Sequence, residues 1–443
     1  MQSFDQFWAQ AVAIAWGMPL IILLLFSGIY FTLISRFIPF FAFKHTILIL
    51  LGRYDNAKDP GQINHFQALS SALSATIGMG NIAGVAIAIT TGGPGAIFWM
   101  WVAGAVGMAT KFFTCTLACM YRKKDEDGIA QGGPMYFIEV GLGKRFKPLA
   151  MMFAFCGMFG CLAIFQSNQL ANLLDQHWTI KPTITGFIAM LIVGTVILGG
   201  IKRVGNVASA IVPTMCLLYL ASCTYVISTN YEQVPELIIS IFKAAFGGEA
   251  IIGGAVGLTI KEILITGIKR AAFSNEAGIG TAAMAHGAAK TSEPVREGLV
   301  AMIGPFIDTH IICTMTALVI LSTGVSGTGD GVIMTANAFE SAMPGMGKII
   351  LTVIFCLFAI STMISYSYYS LKCSRYLFGK KFGNHFIYIY LALIPLAAVW
   401  SQNTIINIID TAFAMMAIPT LISTLLLSQK VIAEMKGYMS RIE

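Results

Sequence analysis

Thr76-Ile77-Gly78-Met79-Gly80-Asn81 and Phe273-Ser274-Asn275-Glu276-Ala277-Gly278-Ile279-Gly280 are the two stretches whose reading decides the fold. Each interrupts a long apolar run, 65–91 and 257–289, and each sets two glycines one residue apart. Glycine costs about 1 kcal/mol relative to alanine inside a helix, so such pairs favour local unwinding. At 1.5 Å per residue, about 13 residues on either side span roughly 20 Å, which sets both breaks near the middle of a bilayer. An unwound turn frees backbone groups that cost roughly 2–7 kcal/mol each if buried without a partner, so something polar is expected there. The alternative is that the glycines only let neighbouring helices pack closely.

Outward from these breaks the chain is almost entirely membrane-like. Of its 443 residues 56% are hydrophobic and 11% charged, against about a quarter charged in soluble domains. About eleven stretches reach the roughly 20 apolar residues that a spanning helix needs. They predict an all-α integral membrane protein with one polytopic transmembrane domain over 1–443. A lead helix, 11–35, precedes a first repeat, 65–228, with spans 65–91, 95–121, 148–174, 182–199 and 204–228. A second repeat, 257–428, holds 257–289, 297–322, 347–376, 384–400 and 404–428, and an amphipathic piece near 234–246 lies between the two. Met1 to Gln10 carries no positive charge, and Ala11 to Ile34 is long for a signal-peptide core, so a retained span is expected.

Charge sets the expected orientation. One loop alone carries Arg122, Lys123, Lys124, Lys144, Arg145 and Lys147, whereas the segments on the other side hold Lys181, Lys243 and Lys348. Positive-inside then predicts a bacterial-type inner membrane protein with an outside N-terminus and a cytoplasmic C-terminus. The span 65–91 starts inside and 257–289 starts outside, so the two halves of five are inverted. The net charge of +7 is spread over short loops and does not suggest nucleic acid. The cysteines lie mostly within apolar stretches and read as small hydrophobes, and the six histidines are scattered.

An amino-acid zwitterion fits the two breaks. Its carboxylate would meet the N–H groups of Gly80 and Asn81, and its ammonium the carbonyls of Ala272 and Phe273. Span 347–376 carries Ser361, Thr362 and Ser365 in apolar surroundings. Hydroxyls with free carbonyls near Ala75 and Gly78 would suit sodium, and plain interhelical hydrogen bonding is the competing reading. Gln166 could bond the substrate or glue helices together. Glu276 is expected to cap exposed N–H groups, Arg270 and Asp410 to form an external gate, and Lys111 to snorkel. Asp308 takes no assignment. Both breaks match G-x-G-x-x-A, but the strand that a dinucleotide site requires is absent, and no enzyme motif occurs.

Ser74 to Thr91, Gly92 to Phe112, Gly132 to Phe137 and above all Phe273 to Lys290 (FSNEAGIGTAAMAHGAAK) resemble the alanine or glycine:cation symporter family. The resemblance continues through Pro294 to Gly298 and Phe306 to Thr309. It implies eleven helices with a leucine-transporter-type core of 5+5 inverted repeats after one extra N-terminal helix. It also implies sodium coupling, with protons in some members, and alanine or glycine as cargo. The substrate contacts it implies are Gly78, Met79, Gly80, Asn81, Gln166, Phe273, Asn275, Ile279, Met363 and Tyr366. Sodium is assigned to Ala75, Gly78, Ser361, Thr362 and Ser365. Met79 stands where threonine is usual and Tyr366 where tryptophan is common, which makes a larger neutral amino acid such as glutamine the alternative cargo. Neither a cofactor nor an obligate protein partner is expected, and the bilayer and the amino acid are the partners.

Overall fold

A computed structural model describes residues 2–247, 259–327, 329 and 331–442. Residues 257 and 258, the start of the expected second repeat, lie outside that set, as do Met1 and Glu443 at the ends of the expected domain. The described chain is helical almost throughout. In chain order the first seven helices are α1 (Gln2–Ala15), α2 (Met18–Ile34), α3 (Ile38–Phe41), α4 (Phe43–Leu50), α5 (His65–Thr76), α6 (Met79–Gly92) and α7 (Gly95–Met120). A two-stranded hairpin, β1 (Lys123–Lys124) and β2 (Ala130–Gln131), leads to α8 (Pro134–Gly141), α9 (Lys147–Gly160) and α10 (Ile164–Trp178). Next come α11 (Pro182–Ile197), α12 (Gly200–Thr229), α13 (Val234–Ala245), α14 (Ile260–Asn275) and α15 (Ala282–His286). The chain continues with α16 (Pro294–Pro305), a π-helical segment Phe306–Cys313 and α17 (Thr314–Ser322). It ends with α18 (Val332–Ala342), α19 (Gly347–Gly383), α20 (Phe386–Ala398) and α21 (Gln402–Met439).

Among the described residues seven helical stretches are long and apolar enough to cross a membrane, and α1 with α2 makes a bent eighth. The lead segment differs from the single helix expected over 11–35. It bends by 42°, because the chain leaves helical geometry at Gly17 and re-enters with Pro19 in the first turn of α2. Span 148–174 is also interrupted, at Cys161–Ala163 between α9 and α10. Ser370 of α19 donates to the freed Cys161 carbonyl at 2.8 Å, which is how such a gap survives away from water. The helix α18 had no counterpart in the sequence reading.

The broken helices lie against each other, α14 packing on α6 and α15 on α5. The start of the first and the end of the second are stitched by backbone: Gln62 N–H donates to Ala288 O at 2.7 Å and Lys290 N–H to Ile63 O at 2.7 Å. The helix α7 packs along α14 and α16, α19 along α5, and α21 along α1 and α9. This arrangement puts both breaks, the π-helical segment and the middle of α19 in one polar seam inside an apolar body.

Candidate functional site

The first break is built as its glycines require. Thr76 ends α5, Ile77 and Gly78 are extended, and Met79 opens α6. Asn81 closes the gap: its Oδ1 accepts the Gly78 N–H at 2.8 Å, while its Nδ2 donates to Asp308 Oδ1 at 2.7 Å. The second break needs left-handed backbone, with Glu276 at φ +55°, Gly278 at +85° and Gly280 at +98°. A side chain at either glycine would be strained, which is why glycine sits there. Gly80 is needed for closeness, since a Cβ there would meet the Ser274 Cα at 3.0 Å.

Asp308, unassigned from sequence, joins the two breaks. Its carboxylate accepts from Asn81, from Ser274 Oγ at 2.9 Å and from Thr309 Oγ1 at 2.9 Å, and its carbonyl accepts from Asn81 Nδ2 at 3.2 Å. The π-helical turn that carries it is a form frequent at functional sites. Asn275 donates to Thr309 Oγ1 and accepts the Ala277 N–H, both at 2.9 Å. Of the backbone groups expected to face a zwitterion, the Asn81 N–H goes to Gly78 O at 3.2 Å and Ala272 O receives the Glu276 N–H at 3.0 Å.

Around this seam Phe273 stands edge-on to Phe165 at 5.3 Å and lies 5.7 Å from Phe413, with Arg270 over its ring. Gln166 is buried and its Oε1 has no hydrogen-bond partner. Met79 and Ile279 are buried, and Ile279 O receives the Thr420 hydroxyl at 3.0 Å. Met363 is buried too, and its carbonyl accepts from Tyr390 of α20. Tyr366 donates its hydroxyl to Glu276, whose other oxygen accepts from Thr281 at 2.5 Å. Glu276 therefore ties α14 to α19 with its side chain; the expected capping of free N–H groups is not what it does.

The residues assigned to sodium converge as well. Ser74 Oγ donates to Ser361 O at 2.8 Å, and Thr362 Oγ1 donates to Ser74 O at 2.9 Å, so α5 and α19 touch through oxygen atoms. The Ser365 hydroxyl is buried in the same stretch without a partner. Ser361 is turned partly elsewhere, toward Phe358 O at 3.0 Å. Ala75 and Gly78 lie on the α5 side of this contact, where helix hydrogen bonding stops. Neutral oxygens at the end of a broken helix are the donor set a hard monovalent cation takes. A Cβ on Gly78 would come within 2.5 Å of Thr362 Oγ1. Gly78→Ala is therefore expected to turn Thr362 away from Ser74 and to cost about 1 kcal/mol of stability, the size of one buried hydrogen bond, read as a lower melting midpoint of the purified protein.

Arg270 and Asp410 meet, both buried, as an ion pair. Lys269, not linked to them from sequence, adds a second cation 2.7 Å from the same carboxylate oxygen. Trp16 of the lead segment donates to the Asp410 carbonyl at 2.8 Å. Lys111 does not snorkel: it is 2% exposed and faces Glu276 and Asp308 from α7. The scattered histidines do not stay apart either. His65 and His286, at the ends of α5 and α15, both bond the buried carboxylate of Glu297 in α16, His286 at 2.6 Å. Intramembrane charge was the available signal for Lys111 and Glu297; the pairing itself is long-range and has no signature in spacing.

At the end of the molecule carrying Lys124, Arg375 and Lys380, a cavity of about 450 Å³ opens between the hairpin, α12 and α19, and reaches inward to Ser367 and Tyr368. On the opposite side of the breaks the Arg270–Asp410 pair and Phe165, Phe273 and Phe413 fill the space.

Comparison with known proteins places this geometry. The sodium:alanine symporter family matches residues 1–443. An uncharacterized transporter of Haemophilus influenzae is 41% identical over 435 residues, covering 97% of this chain and 94% of that one. The sodium/alanine symporter AgcS of Methanococcus maripaludis is 41% identical over 437 residues, 96% and 94% of the two chains. The probable sodium/glutamine symporter GlnT of Bacillus subtilis is 35% identical over 431 residues, 96% and 88%. Among solved structures, MhsT in complex with L-phenylalanine is similar with a TM-score of 0.63 at 14% identity, over 85% of this chain and 92% of that one. That similarity speaks for the fold, which is of the leucine-transporter type. Matched from end to end by one family and by relatives that share two residues in five, the chain belongs to the sodium:alanine symporter family.

Proposed function

We propose that the protein is a sodium-driven importer of alanine or glycine that works by alternating access around the seam between the two breaks. The observation that carries this reading is the meeting of both broken helices at Asp308, which gathers polar groups in the middle of an apolar body. The halves 65–228 and 257–428 would rock against each other across that seam, after a lead segment, in eleven crossings of the membrane. Reaching eleven requires α11, α20 and the broken pair α14–α15 to cross, although each is short or charged. The orientation follows the basic loops, with the 450 Å³ cavity facing the cytoplasm and the Arg270–Asp410 pair closing the outside.

The zwitterion would lie against Gly78, Met79, Gly80 and Asn81 on one side and Phe273, Asn275 and Ile279 on the other. Gly80 N–H and the Phe273 carbonyl are the backbone groups offered to its two charges. Gln166 brings an acceptor that has no partner in the protein, and Met363 and Tyr366 close the inner wall. Sodium, as co-transported cargo, would take the oxygens of Ala75, Gly78, Ser361, Thr362 and Ser365. The Asp308 carboxylate, joined to Gly78 through Asn81, adds negative charge to the seam where two cationic species, sodium and the substrate ammonium, would gather.

Glutamine is the second reading. It is favoured by Met79, an adaptable side chain at the break, by Tyr366 in the wall, and by the name that the 35% identical Bacillus relative carries. Uptake of labelled alanine, glycine and glutamine into proteoliposomes decides between them. Accumulation of alanine or glycine is expected with an inward sodium gradient and not with choline under a proton gradient. Accumulation with protons alone would move the coupling ion, and the order of the three substrates would assign the cargo.

A further inference from the structure

The cavity at the basic end has a floor that the transport reading does not use. Lys372 of α19 lines it, is 3% exposed, and donates from Nζ to Met284 O at 3.1 Å and to Tyr368 Oη at 3.0 Å. Both partners are neutral, and among the described residues no carboxylate pairs with it. Two further cations stand close enough to act on it, Arg122 and Arg375. Arg122 is spent on the Pro60 and Ala289 carbonyls at 2.9 and 2.7 Å, and Arg375 on Asn384 Oδ1 at 2.7 Å. The acids of the same cavity are engaged elsewhere or exposed. Asp125 accepts from the Asp127 and Ile129 N–H groups and from Gln131, Asp127 pairs with Lys380, and Glu126 is on the exposed hairpin tip. The cavity's acids therefore leave Lys372 itself without a bonded anion, which is expensive for a nearly buried cation unless a negative group visits.

Position along α19 says which group that is. Ser361, Ser365, Tyr368 and Lys372 fall within about 60° of one another on the helix, and Lys372 lies about 10 Å along the axis from Ser365. One polar stripe thus leads from the proposed sodium oxygens to the floor of the cavity. Tyr368 accepts a hydrogen bond from Lys372 and keeps its own hydroxyl hydrogen to offer, so ammonium and phenol together present two donors to one carboxylate.

We propose that Lys372 and Tyr368 form a release subsite that binds the carboxylate of the amino acid after it leaves the midplane and before it reaches the cytoplasm. This rests on the transport reading above. Chloride has the same charge, so the test separates the two anions. Alanine uptake is measured in right-side-out and in inside-out membrane vesicles, in chloride and in gluconate media. Lys372→Gln is expected to raise the KM about tenfold in inside-out vesicles and to leave it within twofold in right-side-out vesicles, equally in both media. Lys372→Arg, which keeps the charge, is expected to stay near the wild type. No change in inside-out vesicles, an equal rise on both faces, or an effect of Lys372→Gln seen only in chloride would overturn the subsite. A wild-type protein that carries none of alanine, glycine and glutamine refutes the transport reading instead. Acetate as a carboxylate probe then tests the subsite alone: it should raise the melting midpoint of the purified wild type, and an equal rise in Lys372→Gln would overturn it.

Discussion

Asp308→Asn is expected to lower sodium-driven alanine accumulation by about 100-fold while leaving the protein folded in the membrane. The carboxylate accepts three side-chain hydrogen bonds, from Asn81, Ser274 and Thr309, which come from both breaks and from the π-helical turn. Hydrogen bonds to a charged group are worth roughly 1.5–3 kcal/mol, and about 2.7 kcal/mol corresponds to two decades of affinity. An asparagine keeps the size and one acceptor oxygen but turns the other into a donor that faces hydroxyl groups. The hydroxyls can rotate, so the fold survives. What cannot be replaced is the negative charge that offsets sodium and ammonium. The checking measurement is initial uptake against sodium concentration, normalised to protein in the membrane. Uptake within threefold of the wild type would show that neither cation depends on Asp308 and would move the site away from the seam.

That residue also marks the limit of what the sequence could tell. The two breaks were legible because glycine pairs in apolar runs have a local cost that only function or packing offsets. The oxygens of Ser361, Thr362 and Ser365 were legible because hydroxyls cluster there within an apolar span; Ser361 and Thr362 bond Ser74, while the Ser365 hydroxyl stays without a partner. Asp308 has no such local pattern. Its meaning lies in Asn81 and Ser274, and the former is 227 positions away. The bend at Gly17 and the gap at Cys161–Ala163 were missed for a related reason. Hydropathy reads burial, and both sides of each interruption are equally apolar; only partners such as Ser370 make the interruption tolerable. Lys269 and Lys111 were visible as charges inside spans, but the direction each faces is fixed by packing of α14 and α7, not by spacing.

Glu297→Gln is expected to be the most destabilising single change, costing about 3–5 kcal/mol, the range for breaking a buried ionic pair by removing one partner. Glu297 is completely buried and each of its oxygens faces an imidazole, His65 from α5 and His286 from α15. Asp55 stands 3.6 Å beyond His65 as a second acid. A glutamine would present its amide nitrogen to one ring and its oxygen to the other, so one imidazole must switch to the tautomer that accepts at Nδ1, and the charge that holds both rings is gone. The loss would fall on the clasp that joins the ends of the two broken helices, which is otherwise held by the Gln62–Ala288 and Lys290–Ile63 backbone bonds and by Arg122. Those bonds join the chain at Ile63, Ala288 and Ala289, which are buried too, but they supply neither the negative charge nor the acceptors that the two imidazoles lose. Thermal unfolding of the purified protein in detergent reads the effect: the midpoint should fall by many degrees in Glu297→Gln and by less in His286→Gln, which leaves His65 with its carboxylate. Equal midpoints for the wild type and Glu297→Gln would mean that the three side chains are neutral neighbours, and that the clasp is held by its backbone bonds alone.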